Sequence, residues 1–168
     1  MMISFRDLVG STLVAGVAFF ITFAPVAAED VKQTSAQTSK RPSVEKKAHR
    51  LVLQVNTNEA GTMNLALNNA TNVAQYYQER GEKVEIEIVT FGPGLNMLRD
   101  DTSPVKARIK AIAASTPAIS FKACGNTQGN MSKAENKDVS LIPEATVVKS
   151  GVVHVMELQE RGWTYVRP

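Results

Sequence analysis

Cysteine occurs once in the chain, at Cys124, where a short apolar run (Pro117 to Ala123, PAISFKA) gives way to Gly125, Asn126 and Thr127. A thiol attacks only as its thiolate. A strand running into a helix sets such a group among oriented N–H donors that favour the anion. Gly125 also removes a side chain that would crowd approach to the sulfur. The competing reading is a small buried hydrophobe that ends a strand, which describes many free cysteines. Position alone leaves both open, and the reactive reading requires a sulfur that a partner can reach.

The other polar candidates follow strands in the same way. Asn56 comes after the first apolar run, and Gly92-Pro93-Gly94 after the second. In an open parallel sheet, ligands bind outside the carboxyl ends of the strands. The sequence therefore gives a candidate ligand-binding set of Asn56, Gly92, Gly94, Gly125, Asn126 and Thr127, with Cys124 as the candidate catalytic group. The glycines at 92 and 94 let backbone approach a ligand closely, but they also suit a plain turn and match no phosphate-loop spacing.

Asp100 and Asp101 are adjacent, so they point apart, and they precede Thr102-Ser103-Pro104 as groups complementing a helix dipole would. His154 lies among apolar residues of a helical stretch and reads as a packing or surface histidine, whereas His49 opens the domain. One cysteine and two distant histidines give no metal-ligand spacing. No cofactor motif and no serine–histidine–acid set stands out.

The segments that hold these residues alternate between two periods. Arg50 to Asn56 (RLVLQVN) reads as a buried strand, and Lys83 to Phe91 (KVEIEIVTF) sets Val84, Ile86 and Ile88 against Glu85 and Glu87. Between them Met63, Leu67, Ala70, Ala74 and Tyr77 form one helical stripe, which Gly81 ends. Ser103-Pro104 starts a helix whose inward stripe is Val105, Ile109, Ile112 and Ala113. Asn126-Thr127 caps a further helix to about Asn136. Thr146 to Val148 is a short strand, Ser150 caps a helix to Arg161, and Trp163 to Val166 ends the chain as a strand. Met97, Met131 and Met156 read as core fillers. Such alternation implies right-handed crossovers and a mainly parallel five-stranded sheet with helices on both faces, an α/β class.

Ahead of this domain the composition changes twice. Leu8 to Phe23 is almost wholly apolar after a short start bearing Arg6, and Pro25-Val26-Ala27-Ala28 places small residues for a cut after Ala28. That is the grammar of a secretory signal peptide over residues 1–28. The other reading is an uncleaved anchor, against which Gly10, Ser11, Thr12, Gly16 and Thr22 dilute the run. No later segment is long and apolar enough to span a membrane. Residues 29–48 hold only Val31 and Val44 as sizeable apolar side chains and read as a disordered polar tether. The domain proper is then 49–168, in a periplasmic or secreted setting.

The net charge is +3, of which the tether carries about +2. The folded part is close to neutral, which excludes the clustered cations that nucleic-acid binding needs.

The strand and turn FKACGNTQGNM (Phe121 to Met131), together with RLVLQVN, Tyr76-Tyr77, KVEIEIVTFGPGLNML and GVVHVMELQERGW, resembles the DsrE/DsrF-like family, and specifically its exported members. The resemblance covers about His49 to Pro168. It implies a flavodoxin-like three-layer α/β/α sandwich that assembles into trimers or hexamers, with the second strand inside the sheet. That placement sits awkwardly with Glu85 and Glu87, which suit an edge. In the sulfur-relay members the cysteine at the end of the third strand carries a persulfide between partner proteins, so the resemblance gives Cys124 that role. The expected function is a persulfide carrier or thiol-relay protein. The alternatives are a non-catalytic module that binds a small ligand or partner between Asn56, Gly94 and Asn126 while Cys124 packs, and a purely architectural ring-forming subunit.

Overall fold

The structure, a computed structural model, describes residues 48–168. The expected leader and all but the last residue of the tether lie outside the described residues. Five strands and four α-helices follow in strict alternation: β1 (His49–Val55), α1 (Ala60–Glu79), β2 (Val84–Thr90), a 3-10 helix (Gly92–Leu98), α2 (Lys106–Ser115), β3 (Ile119–Cys124), α3 (Gly125–Glu135), β4 (Ala145–Val148), α4 (Gly151–Glu160) and β5 (Thr164–Val166). The sheet order is β4-β3-β2-β1-β5, and all four pairings are parallel. This is the expected α/β sandwich.

The strand order explains the unequal layers. From β1 to β4 the chain steps steadily in one direction, so right-handed crossovers put α1, α2 and α3 on one face. The last step reverses to the far side of β1, which sends α4 alone to the other face. The cores match. Leu51, Leu53, Val55, Ile86, Ile88, Phe121 and Ala123 join Met63, Leu67 and Ile109 in the large core. Val52 and Val89 meet only Val155 and Leu158 of α4, with Phe91 and Trp163 at the margin.

This asymmetry settles the question posed by β2. The strand is interior, between β1 and β3. Its Ile86 and Ile88 feed the large core, while the alternate positions turn to the face that α4 covers only in part. There Glu87 meets His154 of α4 at 2.7 Å, and the more exposed Glu85 meets Arg50 on β1 at 3.2 Å. Acidic alternation marks a half-covered face here and not a sheet edge.

Helix starts differ from expectation in their chemistry. Ser150 stands at the N-cap of α4 but makes no side-chain capping bond. Ser103 does accept the Val105 N–H at 3.3 Å, although α2 begins two residues beyond Pro104. Gly92-Pro93-Gly94 opens a 3-10 helix, not an isolated turn. Met97 is buried and Met131 partly so, whereas Met156 is 56% exposed and fills no core.

Candidate functional site

No loop separates β3 from α3. Cys124 is the last residue of the strand and also the N-cap of the helix, and its sulfur accepts the Thr127 N–H at 3.5 Å. The sequence expectation that Asn126 and Thr127 cap this helix is therefore corrected by two residues: the thiol itself does the capping. Burial alone would push this thiol up. The Thr127 hydroxyl and the N–H groups of Gly151, Thr127 and Asn126 outweigh that and hold it below its usual value. The Asn126 N–H is shared with the Lys149 carbonyl at 3.2 Å, so its hold on the sulfur is secondary.

Two helix N-termini thus lie beside this residue, the first capped by its sulfur and the second packed against its Cβ. Gly151, which sequence reasoning passed over in favour of Ser150, is the first residue of α4 and brings the second. A side chain there has no room: a Cβ would fall 2.9 Å from Phe91 Cδ1 and 3.2 Å from Cys124 Cβ. The sequence signal was a glycine directly after Ser150, opening a helix instead of ending one.

The expected ligand-binding residues divide. Gly92 and Thr127 line one cleft of about 560 Å³, together with Asn58, Asn96, Arg99 and Asn130. Asn126 lines another, of about 420 Å³, with Lys149, Ser150 and His154. Asn56 and Gly94 line neither. The Gly94 backbone packs against the end of β1, where a Cβ would meet Val55 and lie 2.8 Å from Asn56 Cα. Chain packing thus accounts for its lack of a side chain. At Gly125 a Cβ would sit 3.1 Å from Val147 Cγ1 and 3.3 Å from the Val148 carbonyl, so the glycine makes room for β4.

Asn56, Gly94 and Asn126 are not brought together on either of these two clefts. Cys124 is 4% exposed and lines neither cleft, although Thr127 and Asn126 beside it do. The thiol is thus buried where an open rim was expected of it. A more apolar groove of about 490 Å³, between α1 and β5, lies at the amino ends of the strands and is lined by His49, Tyr76 and Tyr77.

Sequence reasoning also missed Arg99. It is 6% exposed, binds Asp101 through two bonds of 2.8 Å and pairs as well with Glu135 of α3. Lys137 joins at 3.0 Å to Asp101. Asp101 therefore neutralises a buried guanidinium and does not serve a helix dipole, while Asp100 pairs with Lys106. Hydrogen bonds from Arg99 first, and then from Lys137, hold the Asp101 and Glu135 carboxyls below the usual range, and Asp101 raises Lys137 in return. Depressed carboxyls contribute stability that is full above their unfolded values and lost as pH falls through the native ones; raised Lys137 contributes below its unfolded value. The urea midpoint should thus hold level between roughly pH 5 and pH 9 and fall below about pH 4. In the Asp101→Asn, Glu135→Gln double variant the acid slope should shrink by up to about two protons. An unchanged slope would place the acid sensitivity elsewhere.

Among the described residues, no cluster of three or more histidine, cysteine or acidic side chains is placed to hold a metal, and no helix is long and apolar enough to cross a membrane. No family model and no curated protein matches the sequence. Among solved structures, the chain is similar to MTH1491, a protein of unknown function from Methanobacterium thermoautotrophicum. The two share 30% identity and a TM-score of 0.60, over 71% of this chain and 99% of that one. With that identity over nearly the whole of its relative, the chain belongs to the same family as MTH1491.

Proposed function

We propose that the protein carries sulfur on Cys124, as its resemblance to DsrE/DsrF-like proteins implies. The observation that supports this reading is that the Cys124 sulfur itself caps α3, accepting the Thr127 N–H at 3.5 Å, a setting that favours the nucleophilic anion. In the forward step the Cys124 thiolate attacks the outer sulfur of a donor persulfide. A new S–S bond forms on Cys124, the donor's S–S bond breaks, and the donor leaves as its own thiolate. A second thiolate then attacks the outer sulfur on Cys124 and releases the Cys124 thiolate. The chain has one cysteine, so both exchanges are intermolecular.

The test is persulfide labelling of the folded protein after exposure to a small persulfide donor. Wild type should label, and Cys124→Ser should lose the signal entirely; equal labelling ends the proposal. A specific observation favours a second reading. Cys124 is 4% exposed, which suits a binding module whose ligand occupies the cleft by Gly92 and Thr127 while the thiol packs. On that reading the folded protein resists iodoacetamide at neutral pH, and Cys124→Ser keeps its ligand. The sulfur-carrier reading takes the domain as exported and self-associating. Intact mass of protein from its own compartment reports cleavage after Ala28 and any added sulfur together.

A further inference from the structure

A thiol that exchanges sulfur has to be met by its partners, yet Cys124 is 4% exposed. Part of its cover belongs to a layer separate from the main core. The first residue of α4 lies directly on it: a Cβ on Gly151 would fall 3.2 Å from Cys124 Cβ and 2.9 Å from Phe91 Cδ1. The helix that brings Gly151 there is lightly held. Among the described residues, Val155 and Leu158 of α4 pack on Val52 and Val89, with Phe91 and Trp163 at the margin. The other apolar side chains of the helix, Val152, Val153 and Met156, are exposed. Polar ties add to this grip: His154 to Glu87 at 2.7 Å and, through β5, Tyr165 Oη donating to Gln54 Oε1 at 3.0 Å.

The layer is also separable. β5 stands at the edge of the sheet and pairs with β1 over three residues, all of them exposed. Among the described residues, none from α4 or β5 belongs to the large core. Withdrawing both elements therefore leaves β1 to β4 paired and removes no side chain from beneath α1. Units that bury few apolar groups open at a lower free energy than the whole domain unfolds.

We propose that α4 and β5 form a gate over Cys124: the thiol is reached when this layer lifts from Val52 and Val89 as a unit while the rest of the domain stays folded. This rests on the reading of Cys124 as a working thiol and states what controls access to it. The closed layer keeps the sulfur from solvent between exchanges, and each partner meets it in proportion to the open population. A partner that holds α4 away enlarges that population.

Alkylation of Cys124 by iodoacetamide reads the gate, because the chain has one cysteine. Val155→Ala thins the small core, and Ile86→Val trims the large core for a similar loss of global stability. Val155→Ala should alkylate about tenfold faster than wild type, since its loss falls on the opening step. Ile86→Val, which weakens open and closed forms alike, should keep the wild-type rate. The gate is overturned if Val155→Ala reacts no faster than Ile86→Val. Access through global unfolding would raise both rates, and a sulfur reachable in the closed form would raise neither. Should Val155→Ala not fold, wild type decides. Its alkylation rate should rise with urea below the unfolding transition, more shallowly than global unfolding does, because only part of the buried surface is exposed. A flat dependence or the full global slope overturns the gate. A gate that opens in this way over a thiol that never accepts persulfide sulfur ends the carrier reading alone. Persulfide on Cys124 with a flat urea dependence ends the gate alone.

Discussion

Gly94→Ala should lower the stability of the domain by at least about 3 kcal/mol, the upper end for forced overpacking, or prevent folding outright. The added carbon would overlap the Val55 carbonyl and lie 2.8 Å from Asn56 Cα. Both are main-chain atoms of a strand end held between neighbours, with no rotamer to change. Urea denaturation read by circular dichroism checks this. Gly92→Ala is the control, since nothing lies within 4 Å of its Cβ and the variant should lose only about 1–2 kcal/mol to its left-handed backbone. Two glycines separated by one residue thus act through different physics: Gly92 through φ, Gly94 through space. Equal losses at the two positions would refute that division.

Phe121→Ala should cost about 3–5 kcal/mol, the range for truncating a buried aromatic. Phe121 is 1% exposed at the centre of β3, in register with Ile88 on one side and Ala145 on the other. It belongs to the large core on the α1 face, where the surrounding layer cannot collapse onto the void. Val155→Ala, on α4 in the small core, should cost less, about 1–2 kcal/mol, because fewer methyl groups are lost and the single helix there can settle inward. Denaturant midpoints of the two variants measure the inequality of the layers, and matched losses would show that the faces are equally packed.

The sheet was legible because its signal is dense. Apolar runs such as RLVLQVN and VEIEIVT, separated by a 3.6-period stripe from Met63 to Ala74, admit few other arrangements, and their boundaries came within about two residues. The acidic pair on β2 stood in tension with an interior placement because alternation reports only which side of one strand is wet. It does not tell an edge from the half-covered face of an interior strand, and the difference was set by the last step across the sheet, to the far side of β1, many residues away.

At the site, sequence picked out Cys124, Gly92 and Thr127 and left their relations unread. That the thiol caps its own helix depends on a strand and a helix sharing a residue, which a boundary uncertainty of one residue conceals. Arg99 went unread because arginine on a chain without context reads as surface. Only the fold brings Glu135 to it, from 36 residues away. Gly94 and Gly125 looked like openings for a ligand. In three dimensions the chain itself fills both spaces, with main chain at Gly94 and with Val147 Cγ1 and the Val148 carbonyl at Gly125, a use that composition cannot separate from the other.

The return of the chain from β4 through α4 to β5 bears on biosynthesis. Residues 49–148 already hold the large core, four strands and the sulfur, but Gly151 and the layer that carries it emerge last. A nascent chain halted before residue 151 would present Cys124 without the helix start that packs against its Cβ, and with Val52 and Val89 bare on the uncovered face.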